Sequence, residues 1–272
     1  MKKILLTGAT DGIGFETAKR LAAQGQHLLI HGRSENKLSE AETALKVSFP
    51  QARVECYRAD LSKFNEIRTM LQAINSEHAS IDIIINNAGV FKTSAPITPD
   101  GLDIRFVVNT FAPYIITKTL LPLLDDGGRI VNLSSAAQAP INLDAMIGRQ
   151  VLNEAFQAYA QSKLAITIWT QHLAKTLKPT QVVVAVNPGS MLASKMVKEG
   201  FGVQGNDLSI GADILVRAAL SEEFSVASGK YFDNDSGQFS VAHSEAKNKN
   251  KCEKIMSLIE EITTVFYVNQ NV

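Results

Sequence analysis

The sequence predicts an α/β fold, a doubly wound parallel sheet with helices on both faces in three α/β/α layers. Three observations predict it. Short apolar runs alternate with stretches of helical periodicity from the first residue to about Val186. Two of the runs, Ile81-Asp82-Ile83-Ile84-Ile85 and Val182–Val186, are almost continuously β-branched, as in strands covered on both faces. A glycine-rich segment, Thr7-Gly8-Ala9-Thr10-Asp11-Gly12-Ile13-Gly14, joins the first run to the first helical stretch. Regular alternation of this kind implies right-handed βαβ units.

The first strand is expected at Lys3–Thr7, where Ile4-Leu5-Leu6 runs into the glycines, and a helix over Ile13–Gln24 follows. His27–Gly32 and Glu35–Val47 form the next strand and helix, and Arg53–Tyr57 and Phe64–Ser76 repeat the unit. Ile81–Ile85 is the fourth strand, followed by a long apolar helix over Leu102–Leu124. Arg129–Leu133, Asn153–Leu177 and Gln181–Val186 complete the alternation. Beyond a helix containing Gly211-Ala212, the basic Lys247, Lys249 and Lys251 precede Ile255, Leu258, Ile259 and Ile262. That helical spacing predicts a C-terminal helix near 245–266 docked on the rest, and its Glu260 and Glu261 oppose an anionic lipid surface. No repeat or low-complexity linker divides residues 1–272, so one domain is expected.

Composition narrows the partners. Lys+Arg and Asp+Glu are equal at 27 each, which gives no electrostatic reason to bind nucleic acid or an anionic membrane. Apolar residues make up 45% of the 272, enough for a large core. Cys56 and Cys252 lie far apart and read as reduced thiols of a cytoplasmic protein. The apolar Ile4-Leu5-Leu6 after Met1-Lys2-Lys3 is shorter than the ~7–15 residues of a secretory core. No stretch approaches the ~18 uncharged apolar residues of a membrane span. A soluble, cytoplasmic protein is expected. Of the five histidines, His27 and His31 share a strand and lack the helical two-ligand pattern, so no metal is assigned.

In doubly wound sheets ligands collect beyond the carboxyl ends of the strands. After the first strand, Gly8 suits the sharp exit, Gly12 lets backbone approach a pyrophosphate, and Gly14 removes a side chain where helix meets strand. The helix opening at Ile13 offers free N–H groups and a partial positive charge to phosphates. Any tight strand–helix turn can be glycine-rich, so position between strand and helix carries the reading. The spacing is G-x-x-x-G-x-G rather than G-x-G-x-x-G. With Asn86-Asn87-Ala88-Gly89, Ile130–Ser135, Tyr159-x-x-x-Lys163 and Asn187-Pro188-Gly189, in that order over residues 2 to about 195, the chain resembles the short-chain dehydrogenase/reductase family. The gap between Ser135 and Tyr159, with Ser228-Gly229-Lys230-Tyr231-Phe232, is similar to its retinol-dehydrogenase and WW-domain-oxidoreductase-like branch. The resemblance implies a Rossmann fold, a nicotinamide cofactor, a homodimer or homotetramer, and hydride transfer between nicotinamide and an alcohol or carbonyl carbon.

The end of the second strand selects the cofactor. His31-Gly32-Arg33-Ser34-Glu35 places Gly32 about where NAD-specific members carry Asp, and Arg33 follows. Arg33 can pair with a 2′-phosphate in bidentate fashion and Ser34 can add a hydroxyl, so NADP(H) is expected over NAD(H). Arg33 also reads, with less weight, as a surface residue ending a strand. By resemblance, Asp60 bonds the adenine amino group, Leu61 gives backbone contact, and Asn87, Ala88 and Gly89 face the adenine-side ribose; Asp60 also reads as an N-cap. Thr10, Asp11 and Ile13 belong to the same loop of contacts, as do Pro188, Gly189 and Met191 at the far end.

Tyr159 and Lys163 stand four apart on an expected helix, on one face. A nearby ammonium favours a phenolate and lowers a tyrosine pKa from ~10. Tyr159 then takes the alcohol proton in oxidation or returns it to the nascent alkoxide. The strand ending Ser134-Ser135 turns its serines to opposite faces. The family pattern favours Ser135 as the residue bonding the substrate oxygen, with Ser134 structural. By resemblance, Lys163 also binds the nicotinamide ribose and Asn109 holds a water linking Lys163 to solvent; near Pro113, Asn109 also reads as an ordinary kink residue.

The chain departs from the family after Pro188-Gly189, where Ala193 stands in place of a threonine that holds the carboxamide; Ser194 substitutes if the register shifts by one. Met146 and Ile147 in the gap before Tyr159, and Met191, Leu192, Met196, Val197 and Phe201 in a lid near 190–207, border the site, matching an apolar alcohol, aldehyde or ketone. A catalytically silent dinucleotide sensor is the alternative, and retention of Asn109, Ser135, Tyr159 and Lys163 together speaks against it. The homo-oligomer is expected through Leu102–Leu124 and Asn153–Leu177, the latter carrying Trp169.

Overall fold

Strand β1 (Lys3–Leu6) holds three consecutive fully buried residues, Ile4, Leu5 and Leu6, because strands pair on both its edges and helices cover both its faces. The computed structural model describes residues 1–193, 196–198, 202 and 204–268. Around β1 lie β2 (His27–Gly32), β3 (Arg53–Arg58), β4 (Ile81–Asn86), β5 (Leu124–Leu133), β6 (Val182–Asn187), β7 (Tyr231–Asp233) and β8 (Gln238–Ser240). Their order is β3-β2-β1-β4-β5-β6-β7-β8, parallel throughout except for the last antiparallel pair. The doubly wound parallel sheet is therefore as expected. Strand order reverses between β1 and β4, and the crevice of such a sheet opens there.

The helices are α1 (Gly12–Ala23), α2 (Glu35–Ser48), α3 (Phe64–Glu77), α4 (Ile104–Phe106), α5 (Ala112–Leu120), α6 (Leu143–Met146), α7 (Ala155–Leu173), α8 (Leu208–Leu220) and α9 (Lys249–Val268). Period-two alternation splits the core. Ile4, Leu6, Leu28 and Ile30 face α1, α2 and α8, whereas Leu5, Leu29, Ile84 and Ile130 face α3, α5, α7 and α9. Gly211 of α8 lets that helix approach α1: a Cβ there would stand 2.6 Å from Leu192 and 3.2 Å from Ile13.

Three elements differ from the sequence reading. The helix expected over Leu102–Leu124 is α4, a π-helical turn at Val107–Phe111, α5 and a 3₁₀ turn at Leu121–Leu123. Pro113 has no N–H to give the Asn109 carbonyl four residues back, so a regular α ladder cannot pass this point. β5 begins at Leu124, five residues early, with a register shift between Ile81 and Ile83 across which Asp125–Gly128 are left out of the pairing. β7 and β8 span three residues each, too short to show a period.

One expectation on surfaces also changes. Ile104–Leu123 is long and apolar enough to cross a membrane by length and composition, with 72% of that window buried inside the chain. Counting only uncharged residues missed it, because Arg105 and Lys118 fall inside an otherwise apolar segment. The two helices expected to carry an oligomer hold long runs buried within the chain, beside exposed Phe156, Gln157 and Lys118. Gln161–Thr170 of α7 are ten consecutive buried residues, more than two turns, and Asn109–Thr117 are buried likewise. The C-terminal helix α9 packs on this pair: Ile255, Met256 and Ile259 join the cluster containing Trp169 and Tyr114, and Tyr114 Oη donates to Glu260 Oε1 at 3.4 Å.

Candidate active site

A cleft of ≈540 Å³ lies at the switch point, beyond the carboxyl ends of β1, β2, β3, β4 and β5. Its floor is the β1–α1 loop. Gly8 holds φ +68°, and a Cβ on Gly14 would stand 2.0 Å from the Gly8 carbonyl oxygen, so neither position admits a larger residue without moving the loop. Asp11 caps α1 by accepting from Gly12 N at 2.8 Å, leaving later amides of the first turn facing the cleft.

Neighbouring strands brace this loop through residues whose role the sequence reading did not assign. Thr7 Oγ1 accepts from Asn87 N and Ala88 N, both at 3.1 Å. Asn87 Nδ2 donates to the Thr7 and Gly8 carbonyls at 2.9 and 3.0 Å. His31 Nδ1 accepts from Gly8 N at 3.2 Å while Nε2–H donates to the Ala59 carbonyl at 3.0 Å. Burial pushes the His31 pKa down to about 4, so the ring is neutral and can accept on one nitrogen and donate on the other.

At the β2–α2 corner, Arg33, Ser34 and Asp11 line the cleft together with Lys37. Arg33 is exposed and makes no hydrogen bond or ion pair among the described residues, and Lys37 Nζ reaches Asp11 Oδ2 at 3.3 Å. Lys37 was missed, although it lies three residues past the N-cap Ser34, where one helical turn returns to the same side. Gly32 adjoins Thr10: a Cβ on it would lie 2.5 Å from Thr10 Cγ2, so this corner leaves no room for the acidic side chain of NAD-specific members. Asp60 and Leu61 also line the cleft. Asp60 is not the N-cap of α3, which is Lys63; its Oδ1 accepts from Ser62 N and Ser62 Oγ.

At the other end, Tyr159 and Lys163 line the cleft from α7, one turn apart, with Gly89, Val90, Phe91, Pro188 and Met196. The Ser135 side chain stands beside Tyr159 and favours its phenolate. Ser134 Oγ instead donates to the Lys163 carbonyl at 3.0 Å and meets Thr167 Oγ1 at 2.7 Å. Lys163 Nζ donates to the Leu133 carbonyl at 2.7 Å and lies 5.6 Å from the Tyr159 ring centroid. Asn109, in the π-helical turn, accepts from Val90 N at 2.8 Å and donates to Val90 O and Ser162 Oγ, both at 2.9 Å. Its side chain is committed, while Pro113 leaves its carbonyl without the usual helical partner.

The electrostatics correct one expectation. Burial raises the Tyr159 pKa, opposed by the Ser135 side chain, and burial also lowers Lys163 to about 7. Desolvation, not the lysine, dominates at the tyrosine in the chain alone.

Gly189 and Met191 do not line the cleft; Met191 holds φ +54° in a segment tied by Asn206 N to Met191 O. Ser194 and Phe201 lie outside the described residues. Phe91 and Phe156, which the sequence reading did not single out, form an aromatic wall. Their centroids are 6.4 Å apart and Phe91 is 5.2 Å from Tyr159. Phe156 precedes Tyr159 by three residues in α7, the signal that could have found it.

Spacing along the chain also could not place His78, after α3, beside β3. Glu55, Glu77 and His78 bring possible ligand atoms within 4.8 Å of one another. None of them lines the cleft, and the Tyr57 hydroxyl donates to Glu77 at 2.6 Å and meets His78 Nε2 at 2.7 Å.

Comparison with known proteins agrees with this geometry. The family model described as short chain dehydrogenase matches residues 2–202. The chain is 33% identical over 275 residues to retinol dehydrogenase 12 of Mus musculus, covering 96% of this chain and 86% of that protein. Among solved structures, an uncharacterized protein from Mycobacterium paratuberculosis is similar at TM-score 0.79 and 25% identity, covering 97% of this chain and 94% of that one. A short chain dehydrogenase of Shigella flexneri complexed with NADP is similar at TM-score 0.68 and 27% identity, covering 86% and 96%.

Proposed function

The chain belongs to the short-chain dehydrogenase/reductase family, in its retinol-dehydrogenase-like branch, and from that premise we propose that it is an NADP(H)-dependent enzyme interconverting an apolar alcohol with its aldehyde or ketone. One observation supports this above the rest: Tyr159, with the Ser135 side chain beside it, and Lys163 share a cleft with the glycine loop and the Arg33–Lys37 corner.

The cleft suits a phosphorylated dinucleotide. Gly14 lets α1 pack against the Gly8 carbonyl where a Cβ would clash, and the first-turn amides of α1 suit the pyrophosphate. Arg33, Ser34 and Lys37 would hold a 2′-phosphate, Asp60 and Leu61 the adenine, Asn87, Ala88 and Gly89 its ribose, and Pro188 the carboxamide end. NADP(H), when bound, supplies or accepts the hydride. In reduction Tyr159, kept protonated by burial, donates its proton to the oxygen that becomes an alkoxide, and Ser135 steadies the charge on that oxygen. Two Lys163 N–H donors remain beyond the one given to Leu133, enough for ribose hydroxyls. Asn109 holds Val90 in place, and its carbonyl, which Pro113 gives no N–H four residues on, is the group to hold a water on the proton path. Phe91, Phe156 and Met196 favour an apolar substrate. A cytoplasmic location accompanies this reading, supported by two unpaired cysteines and the burial of the apolar helix within the fold.

Loss of NADPH absorbance with a panel of apolar aldehydes and ketones tests the proposal. Turnover that prefers NADPH to NADH supports it; preference for NADH overturns the cofactor assignment. Absence of turnover with every carbonyl, alongside tight NADPH binding, would instead indicate a silent sensor, which no feature of the cleft favours.

A further inference from the structure

The motif Ser228-Gly229-Lys230-Tyr231-Phe232 has no role in the site described above, yet its tyrosine reaches the segment that carries Ser135. β5 ends at Leu133, and the last ladder-like bond is Ser134 N to the Val186 carbonyl, so Ser135 lies past the support of the sheet. Its backbone is held by side chains instead. Tyr231 Oη donates to the Ser135 carbonyl at 3.1 Å, and Gln138 Nε2 donates to the same oxygen at 3.0 Å. Gln138 is fixed at both ends of its amide, because its Oε1 accepts from His243 N at 3.0 Å. Ala137 N donates to Ser135 Oγ at 3.1 Å and sets the direction of the hydroxyl. Tyr231 is itself anchored: it is 6% exposed and its strand pairs Tyr231 with Ala185 of β6.

We propose that Tyr231 and Gln138 are positioning residues that hold the Ser135 carbonyl, and through it aim the Ser135 hydroxyl at Tyr159 and the substrate oxygen. The proposal rests on the reading of Ser135 given above. Tyr231 suits the task because burial, with Asp233 and Asp235 nearby, raises its pKa, so it remains a donor throughout the working range. Gln138 couples the C-terminal segment to the same point. A carbonyl with two donors has a narrower range of orientations than one with either alone, and catalytic geometry is sensitive to displacements of about 1 Å.

Tyr231→Phe keeps ring and packing and removes only the donor. Expected is a fall in kcat of about 10- to 100-fold, with an unchanged Kd for NADPH by fluorescence titration and an unchanged Tm. In alcohol oxidation the pH inflection belonging to Tyr159 moves upward, because a misaimed Ser135 hydroxyl no longer favours the phenolate. Gln138→Met moves both quantities in the same direction. Placed on Ser135→Ala, Tyr231→Phe changes kcat by less than about twofold, since residues acting through one group are not additive. An unchanged kcat and pH inflection in Tyr231→Phe, alongside a crippled Ser135→Ala, overturns the positioning role alone. An equal loss with and without Ser135, or a parallel loss of NADPH binding, also overturns it. Full activity of Ser135→Ala overturns the reading of Ser135 and the proposal with it.

Discussion

Lys163 shows how this fold places function against stability. The residue is 4% exposed and burial lowers its pKa to about 7, against 10.5 for the ordinary side chain. Between those values the unfolded chain binds the proton that the folded chain has released, so this group makes stability rise with pH from about 7 to 10.5. Below pH 7 both states are charged and the desolvation penalty is present in full. Lys163→Met is therefore expected to abolish turnover while raising Tm by about 4 °C at pH 6.5 without cofactor, with the gain shrinking toward pH 9. Calorimetry across that range checks it; a variant less stable than wild type at every pH contradicts it. His31 has the same sign in a lower window: neutral when folded down to about 4, it makes stability fall as pH drops from 6.5 to that value. Tyr159, Lys163, Ser135 and Arg33 were legible because each sits in a short local pattern. Phe91, which lines the cleft, and Thr7, which braces the glycine loop, were not recognised, because contacts between β1, β4 and α7 that no local pattern shows assign them there.

On the proposed reading, the β2–α2 corner is the element that selects the cofactor. Arg33→Ala combined with Lys37→Ala should raise KM for NADPH by about 100-fold while leaving that for NADH within about twofold, because two phosphate-facing cations are removed and no ribose contact is lost. Equal effects on both cofactors would mean that the corner serves only to fold the loop. The β1–α1 turn makes a second demand. Gly14→Ala places a methyl 2.0 Å from the Gly8 oxygen, so NADPH binding should weaken at least about 100-fold, as read by titration. Elements of regular period were read from sequence to within a few residues, and β2 to its ends. Those set by pairing were not: the early start of β5 depends on a register shift against β4, and β7 and β8 form only because β6 offers an edge. The π-helical turn at Val107–Phe111 had a visible cause in Pro113, yet proline alone does not say whether a helix ends, kinks or widens.

Across the chain, one sheet joins two apolar layers, and α9 closes the layer that contains α5 and α7. With Gln161–Thr170 buried on every side within a single chain, we expect a 29.5 kDa monomer by light scattering. A dimer crosslinked through α7 would contradict that. The family resemblance had suggested the opposite, since composition and periodicity cannot tell burial within a chain from burial between chains.

The whole account turns on Tyr159 as the proton donor beside the reduced cofactor. Single-turnover oxidation of bound NADPH by an apolar aldehyde, followed by stopped flow in wild type and Tyr159→Phe, isolates that step. The predicted result is NADPH affinity within about twofold of wild type and a chemical step slower by about 10²–10⁴-fold. A Tyr159→Phe enzyme that oxidises NADPH at the wild-type rate would contradict it.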